Sequence, residues 1–270
     1  MQDRVAELRA RWTPESTTAA VALLEQRPTA FDLPTMELGG ETYLDLRGLR
    51  VEETQIDKAL LRWVNLRWAV FRDVGFKNAH FENCNFSQAT FSDCYLRRAQ
   101  FTQCDLVNSR FDSCDFSQAM LTESRIDFAS FKNCEIRLEN IRFRADASEQ
   151  AMVRVCRSLK LNAISMGNFA DAGELTYLEK THERRALHAH GKWAAWLGSV
   201  LQDWMWGYGE RPWRLVLLMV FNIVAFGSLL HWLDPLPDKT WWEHVYFSGI
   251  TYLTVGYGDL APHSPIARLL

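Results

Sequence analysis

Between positions 46 and 141 a large apolar residue returns at every fifth position, and Phe71, Phe76, Phe81, Phe86, Phe91, Leu96, Phe101, Leu106, Phe111 and Phe116 carry the run without a gap. An α-helix repeats its buried face every 3.6 residues and a flat strand every 2, so neither element holds this set on one side. A second periodic site reinforces the first. Two positions before each of the sixteen centres between positions 61 and 136 stands Ala, Val, Cys or Ser. A strict period of five makes each pentad one side of a coil, with one small and one large residue inside and three residues outside.

Units such as Ala79-His80-Phe81-Glu82-Asn83 and Cys84-Asn85-Phe86-Ser87-Gln88 resemble the pentapeptide-repeat family, over residues 44–143. The resemblance implies a right-handed quadrilateral β-helix, a repeat array in which each coil buries its rings only against its neighbours. Some members of that family resemble DNA in shape and charge and inhibit gyrase, which requires a strongly acidic surface. Residues 41–145 carry 15 Lys plus Arg against 15 Asp plus Glu, a net charge of zero, which argues against mimicry of that kind. A spacer, or a docking surface for an unidentified cytoplasmic protein, is the better expectation. The net charge of −3 over the whole chain likewise argues for no nucleic-acid partner.

Cys84, Cys94, Cys104, Cys114 and Cys134 are spaced by tens, and each falls on the small inward site that Ala or Ser occupies in neighbouring pentads. There a cysteine acts as a small buried hydrophobe. Metal ligands commonly lie two to five residues apart, so these thiols are read as structural. Cys156 lies beyond the repeat, and a disulfide is not expected in a cytoplasmic setting. With no nucleophile–base pair and no ligand cluster in the sequence, neither an enzyme nor a bound cofactor is expected.

The segments on either side of the repeat read as helical. Asp3, Arg4, Glu7, Arg9 and Arg11 interrupt any apolar run at the start, which excludes a secretory signal. Thr13-Pro14-Glu15 reads as a helix start, so residues 1–40 are expected to form a helical cap. Residues 146–190 read as a helical hairpin connector. Met152, Val153, Val155, Leu159 and Leu161 supply one stripe, Gly167-Asn168 the break, and Leu175, Tyr177, Leu178 and Leu187 the second stripe. Lys180, Glu183, Arg184 and Arg185 are expected on its solvated face, and His182, His188 and His190 at the surface. Eight of the eleven tryptophans follow residue 190, a distribution that suggests a membrane–water boundary. Within residues 191–210, Trp193, Trp196, Leu197, Val200, Leu201 and Trp204 line one face of an amphipathic helix expected to lie in that interface. Gly207-Tyr208-Gly209-Glu210 then reads as a turn.

Residues 211–270 change character again. Nineteen uncharged residues lie between Arg214 and Asp234, with Asn222, Ser228 and His231 as polar exceptions. At 1.5 Å each they reach roughly 28 Å, enough to cross a hydrocarbon core. Lys192, Arg211 and Arg214 precede the span while Lys239 alone follows it before the terminal motif, which puts the N-terminal side in the cytoplasm. A second apolar segment begins at Trp241 and runs only to Leu253, too short to cross, so a helix dipping back into the membrane is expected.

Tyr246-Phe247-Ser248, Thr251 and then Thr254-Val255-Gly256-Tyr257-Gly258-Asp259 resemble the pore helix and selectivity filter of two-transmembrane potassium channels. Together with the repeat, the chain resembles a bacterial pentapeptide-repeat ion channel. The resemblance implies that main-chain carbonyls of Thr254, Val255, Gly256 and Tyr257, with the Thr254 hydroxyl, replace the hydration shell of K⁺, while Gly258 completes the filter and Thr251 and Asp259 support it. It also implies a homotetramer in the cell (inner) membrane, in contact with the lipid bilayer, with the repeat in the cytoplasm and K⁺ as permeant ion. Leu253-Thr254 stands where the family commonly has Thr-Thr. The family further implies an inner helix of about 20 residues after the filter. Eleven residues follow Asp259, so the sequence is expected to be a fragment, with Pro265-Ile266-Ala267-Arg268-Leu269-Leu270 as the first turns of that helix. The alternative is a membrane-tethered scaffold whose repeat binds a protein partner without conduction.

Overall fold

The computed structural model describes residues 2–25, 33–144, 146–233, 236 and 238–260. The chain divides into two compact units, Met1–Trp196 and Leu197–Leu270. In the first, the five-residue period becomes a β-solenoid of about five coils. Strands of two or three residues centred on or beginning at Val51, Phe71, Phe91, Phe111 and Phe131 pair in parallel to form one wall, and those at Leu61, Phe81, Phe101, Leu121 and Ile141 form the opposite wall. Every partner lies twenty residues away, so four pentads make one coil. The other two walls are held by single bridges at the same offset, such as Gln55 to Gly75 and Asn65 to Asn85.

The interior is a set of stacked columns. The rings of Phe71, Phe91, Phe111 and Phe131 follow one another at 4.9, 4.8 and 5.1 Å between centroids, and Phe81 stacks on Phe101 at 4.7 Å. These separations match the spacing of hydrogen-bonded strands, so backbone pairing sets the distance at which the rings meet. Rings on adjoining walls meet edge to face, as Phe71 and Phe76 do at 5.2 Å and 81°. The small inward residues close the remaining space, and all five repeat cysteines are buried there. Each donates its Sγ–H to carbonyls already inside the coil, Cys84 for example to Leu61 O at 3.3 Å.

The corners share one conformation whatever residue occupies them. Seventeen successive corners from Glu53 to Asn133 place a non-glycine residue at φ between 50° and 62°, bulky Trp63, Trp68 and Phe128 included. The left-handed region costs an L-residue about 1–2 kcal/mol, which inter-coil bonding offsets. Corner amides reach the next coil, Asp73 N to Ser92 O at 2.9 Å and Asp93 N to Asp112 O at 3.0 Å.

Both solenoid ends are closed by non-periodic segments. Helix α1 (Gln2–Ala10) precedes α2 (Pro14–Leu24), whose start follows the expected signal: Thr13 Oγ1 accepts from Ser16 N at 3.2 Å, and Pro14 occupies the first turn. Ala20 and Leu24 of α2 join the core beside Leu46, Leu49 and Val51. The Arg11 guanidinium holds the Asp45 carboxylate at 2.9 Å, and Trp12 Nε1 donates to Arg47 O at 2.9 Å. Burial pushes the Asp45 carboxyl up, but hydrogen bonds from Arg47 and Arg11 outweigh it and hold the group well below the usual carboxylate range. The segment 1–40, expected as a helical cap, also contributes a strand. Thr35–Leu38 pairs antiparallel with Glu41–Asp45 around Gly39-Gly40, whose φ values of 64° and 89° meet the demand of a two-residue hairpin turn.

The far end is closed by α3 (Glu149–Ser165), which forms a hairpin with α4 (Phe169–Ala189). Met152, Val155, Cys156, Leu159 and Ala163 extend the solenoid core. Asn162 completes the backbone pairing that a further coil would have supplied: its Oδ1 accepts from Cys134 N at 2.9 Å and its Nδ2 donates to Cys134 O at 2.8 Å. Asp171 Oδ2 accepts from Leu138 N at 2.9 Å in the same way. Burial pushes the Cys156 thiol up to about 12, so it is protonated at neutral pH.

Between α3 and α4 the structure corrects one sequence expectation. His182, expected at the surface, has a side chain 13% exposed and its Nδ1 lies 2.6 Å from Glu149 Oε2. Glu179 is buried and accepts from Arg157 at 2.7 Å and from Lys160. Burial pushes its carboxyl up, but hydrogen bonds from Lys160 and Arg157 hold it below the ordinary value.

Two outcomes follow. Phe91→Ala removes a ring stacked on both sides and should cost about 3–5 kcal/mol in chemical denaturation, against less than about 0.5 kcal/mol for the outward Ser92→Ala. Equal losses would contradict the column as the source of stability. Because the folded pKa of Glu179 is lowered, its contribution is full above the ordinary glutamate value and fades as pH falls through the folded one. Thermal melts from about pH 6 to about pH 3 should therefore show an acid-side slope that is shallower in Glu179→Gln.

Candidate functional site

From Trp193 onward the helices leave much of their apolar surface exposed. Helix α5 (Trp193–Trp206) leaves Trp193, Leu197, Leu201 and Trp204 of the expected stripe exposed. It ends in a 3₁₀ turn, Gly207–Gly209, with Gly207, Tyr208 and Gly209 all at positive φ. The turn is fastened by the Ser199 and Tyr208 hydroxyls at 2.8 Å and by Arg214, which donates to the Asp203 carboxylate at 3.1 Å. Helix α6 (Trp213–Leu233) has 21 residues and a mean hydropathy of 2.0 across its most apolar window, of which 11% is buried. It is long and apolar enough to cross a membrane, and Val216, Leu217, Val220, Phe221 and Trp232 point outward.

Helix α7 (Trp241–Tyr252) packs antiparallel on α6 through a close approach. Gly227 permits it, since a Cβ there would lie 2.6 Å from Val245 Cα and 3.0 Å from Val245 N. Two of the polar exceptions in the span, Ser228 and His231, meet α7 along the same contact. Trp241 Nε1 donates to Ser228 Oγ at 3.1 Å, which donates onward to Val224 O at 2.8 Å. The rings of His231 and His244 lie 4.9 Å apart. Glu243 reaches back to the helix start and accepts from Thr240 N at 2.7 Å, the reciprocal half of a capping box. Beside the contact lies an apolar cavity of about 220 Å³ lined by Phe226, Leu229, Leu230, Phe247, Ser248 and Thr251.

The residues singled out by the sequence follow directly on α7. Thr254 N donates to Thr251 O at 3.0 Å, and Val255 N and Gly256 N both donate to Ile250 O, at 2.9 and 3.2 Å. Thr254, Gly256 and Gly258 have φ of 55°, 53° and 76°. Alternation of backbone hand turns successive peptide groups to the same side, and here two successive amides converge on one carbonyl. Among the described residues, the carbonyl oxygens of Thr254, Val255, Gly256 and Tyr257 accept no hydrogen bond. The Thr254 hydroxyl donates to Leu253 O at 2.7 Å. Tyr246 OH donates to Asp259 Oδ2 at 3.0 Å, tying the far end of the loop to the helix that launches it. Val255 is 48% and Tyr257 72% exposed, so the loop is pinned at both ends and uncovered between them. The first turns expected at residues 265–270 lie outside the described residues.

Two comparisons agree with this division. Residues 74–151 match the family described as pentapeptide repeat region, and residues 218–270 match the family described as ion channel. A stretch of 55 residues is 31% identical to the "Putative potassium channel protein YugO" of Bacillus subtilis (strain 168). That stretch covers 20% of this chain and 17% of the relative. Among solved structures, the pentapeptide-repeat protein Rfr23 from Cyanothece 51142 is 16% identical, covering 37% of this chain and 87% of its own at a TM-score of 0.22. HetL from Nostoc sp. strain PCC 7120 is 17% identical, covering 33% of this chain and 39% of its own at a TM-score of 0.18. At those scores the fold rests on the twenty-residue pairing register, not on the superpositions.

Gly227→Ala should push α7 from α6 and lower stability by about 1–3 kcal/mol, read as thermal unfolding in detergent. Helix propensity alone would raise it by about 1 kcal/mol, so a net gain would refute the close approach as a packing requirement.

Proposed function

We propose that this chain, which carries a pentapeptide-repeat region and an ion-channel region, is a subunit of a homotetrameric potassium channel. The observation that carries the reading is the loop Thr254–Gly258. Its first three amides are turned back onto α7 and, among the described residues, the carbonyls of Thr254, Val255, Gly256 and Tyr257 accept no hydrogen bond, on a short capped helix that follows an apolar span. A K⁺ ion shedding water needs a ring of oxygens of fixed number and spacing, and main-chain carbonyls supply them without side-chain entropy. One loop makes one wall, so four copies surround the axis. Gly256 and Gly258 hold positive φ without strain, which lets the neighbouring carbonyls keep one orientation. The Tyr246–Asp259 hydrogen bond keeps the mouth from collapsing inward. Thr251, at the last turn of α7, supports the loop through its carbonyl.

The unburied apolar surface of α6 is what a bilayer would cover, and the exposed tryptophans of α5 suit its interface. The basic residues Lys192, Arg211 and Arg214 before the span favour a cytoplasmic solenoid, in an inner membrane. The solenoid then serves as a spacer or as a docking surface for a cytoplasmic protein. Both regions are of kinds that act without catalysis.

The full-length protein reconstituted in liposomes should pass K⁺ in strong preference to Na⁺. Gly256→Ala, placing a side chain at φ 53°, should abolish the preference while leaving the fold intact by circular dichroism. Unselective flux in the wild type, or selectivity unchanged in the variant, would overturn the reading.

A further inference from the structure

The contact between α6 and α7 contains a buried nitrogen that the packing leaves unused. His244 stands in the first turn of α7 and is fully buried. Its Nδ1 lies 2.9 Å from the Thr240 carbonyl, which can only accept, so Nδ1 carries the hydrogen. In the neutral ring Nε2 therefore presents a lone pair. That Nε2 is buried and has no hydrogen-bond partner among the described residues. Among the described residues, the imidazole packed against this ring is that of His231, in the last turn of α6, one turn beyond Gly227 and exposed to solvent. The two ring centroids are 4.9 Å apart and the planes are inclined by 70°.

From this geometry we infer that His231 and His244 form a binding site for a borderline transition-metal ion, with Zn²⁺ as its type. Imidazole is a preferred ligand for such ions, and Zn–N bonds of 2.0–2.1 Å at a tetrahedral angle put two ring centroids about 5 Å apart. The separation in the protein already has that value, before any ion is bound. The Nδ1–H to carbonyl bond of His244 is the orienting contact that metal-bound histidines characteristically make, fixing the tautomer and aiming the other nitrogen. Among the described residues no cluster of three or more His, Cys, Asp or Glu is formed, so two imidazoles hold the ion and water completes its shell. The nearest carboxylate on α7, Glu243, is occupied by Thr240 and Lys239 and does not compete. The exposed edge of His231 gives the ion its way in. A bound ion ties the last turn of α6 to the first turn of α7, at the level where Gly227 already brings the helices together. None of this depends on conduction.

The test uses the whole chain in detergent with any affinity tag removed, titrated with ZnCl₂ by calorimetry and followed by thermal unfolding. One saturable Zn²⁺ per chain is expected in the micromolar range, with a rise in melting temperature that follows occupancy. Excess Mg²⁺, which demands oxygen ligands, should not displace it. His231→Ala alters an exposed residue and should weaken binding at least about tenfold and erase the thermal shift. His190→Ala, at the C-terminal cap of α4, should leave both unchanged. His244→Gln should weaken binding as His231→Ala does, with circular dichroism confirming that the buried position still folds. Absence of saturable binding, or binding equally strong in His231→Ala, overturns the site and leaves the two rings as an edge-to-face packing pair.

Discussion

The twenty-residue register between coils is the constraint on which the first unit depends. Each coil satisfies most of its wall amides through its neighbours, and stacked rings such as Phe71, Phe91 and Phe111 lie at van der Waals distance because the backbone sets that spacing. A solenoid so built cannot simply stop, because its last coil would expose both an apolar face and unpaired polar groups. The two ends solve this differently. At the start a charged cluster of Arg11, Asp45 and Arg47 accompanies the apolar lid from α2. At the finish the primary amide of Asn162, a donor and an acceptor on one side chain, stands in for the peptide group of an absent coil.

The second unit depends on the opposite kind of contact. Its helices meet where a side chain is missing, at Gly227, and Ser228 and His231 of the span meet α7 along that seam. The seam positions α7, and α7 ends in the loop whose amides fold back on Ile250. A packing event thus governs a backbone event several residues away. The loop itself needs little from the rest of the chain beyond its two anchors, which is why its local sequence is so informative.

Legibility in the sequence followed from whether a feature is periodic, local or neither. The five-residue period disclosed the solenoid, and the small inward site disclosed the place of the cysteines, because both recur at every pentad. Thr13-Pro14 disclosed the start of α2 because capping is a matter of a few adjacent residues. The hairpin at Gly39-Gly40 carried a usable signal, two glycines between short apolar-alternating segments, which the helical reading of residues 1–40 passed over. Asn and Asp at corners such as Asp73, Asn78, Asn83 and Asp93 hinted at positive φ, but Trp63 and Phe128 occupy it too, so the coil and not the residue dictates it. Asn162, Glu179 and His182 were beyond reach. Their partners lie 19 to 33 residues away across helix faces, at distances that only a known crossing geometry can supply. His231 and His244, 13 residues apart on two helices, meet only through the same kind of crossing geometry.

The uniform corner has a consequence for how such a chain can change over evolutionary time. Since every pentad turns the path by one side and every fourth closes a coil, the distance between the two end closures is quantised. Gaining or losing twenty residues lengthens or shortens the stack by one layer and returns both closures to their original azimuth. Gaining or losing five instead swings one closure a quarter turn about the stack relative to the other. Reach and angular phase are therefore set by separate, countable changes, and the columns of the interior are indifferent to either.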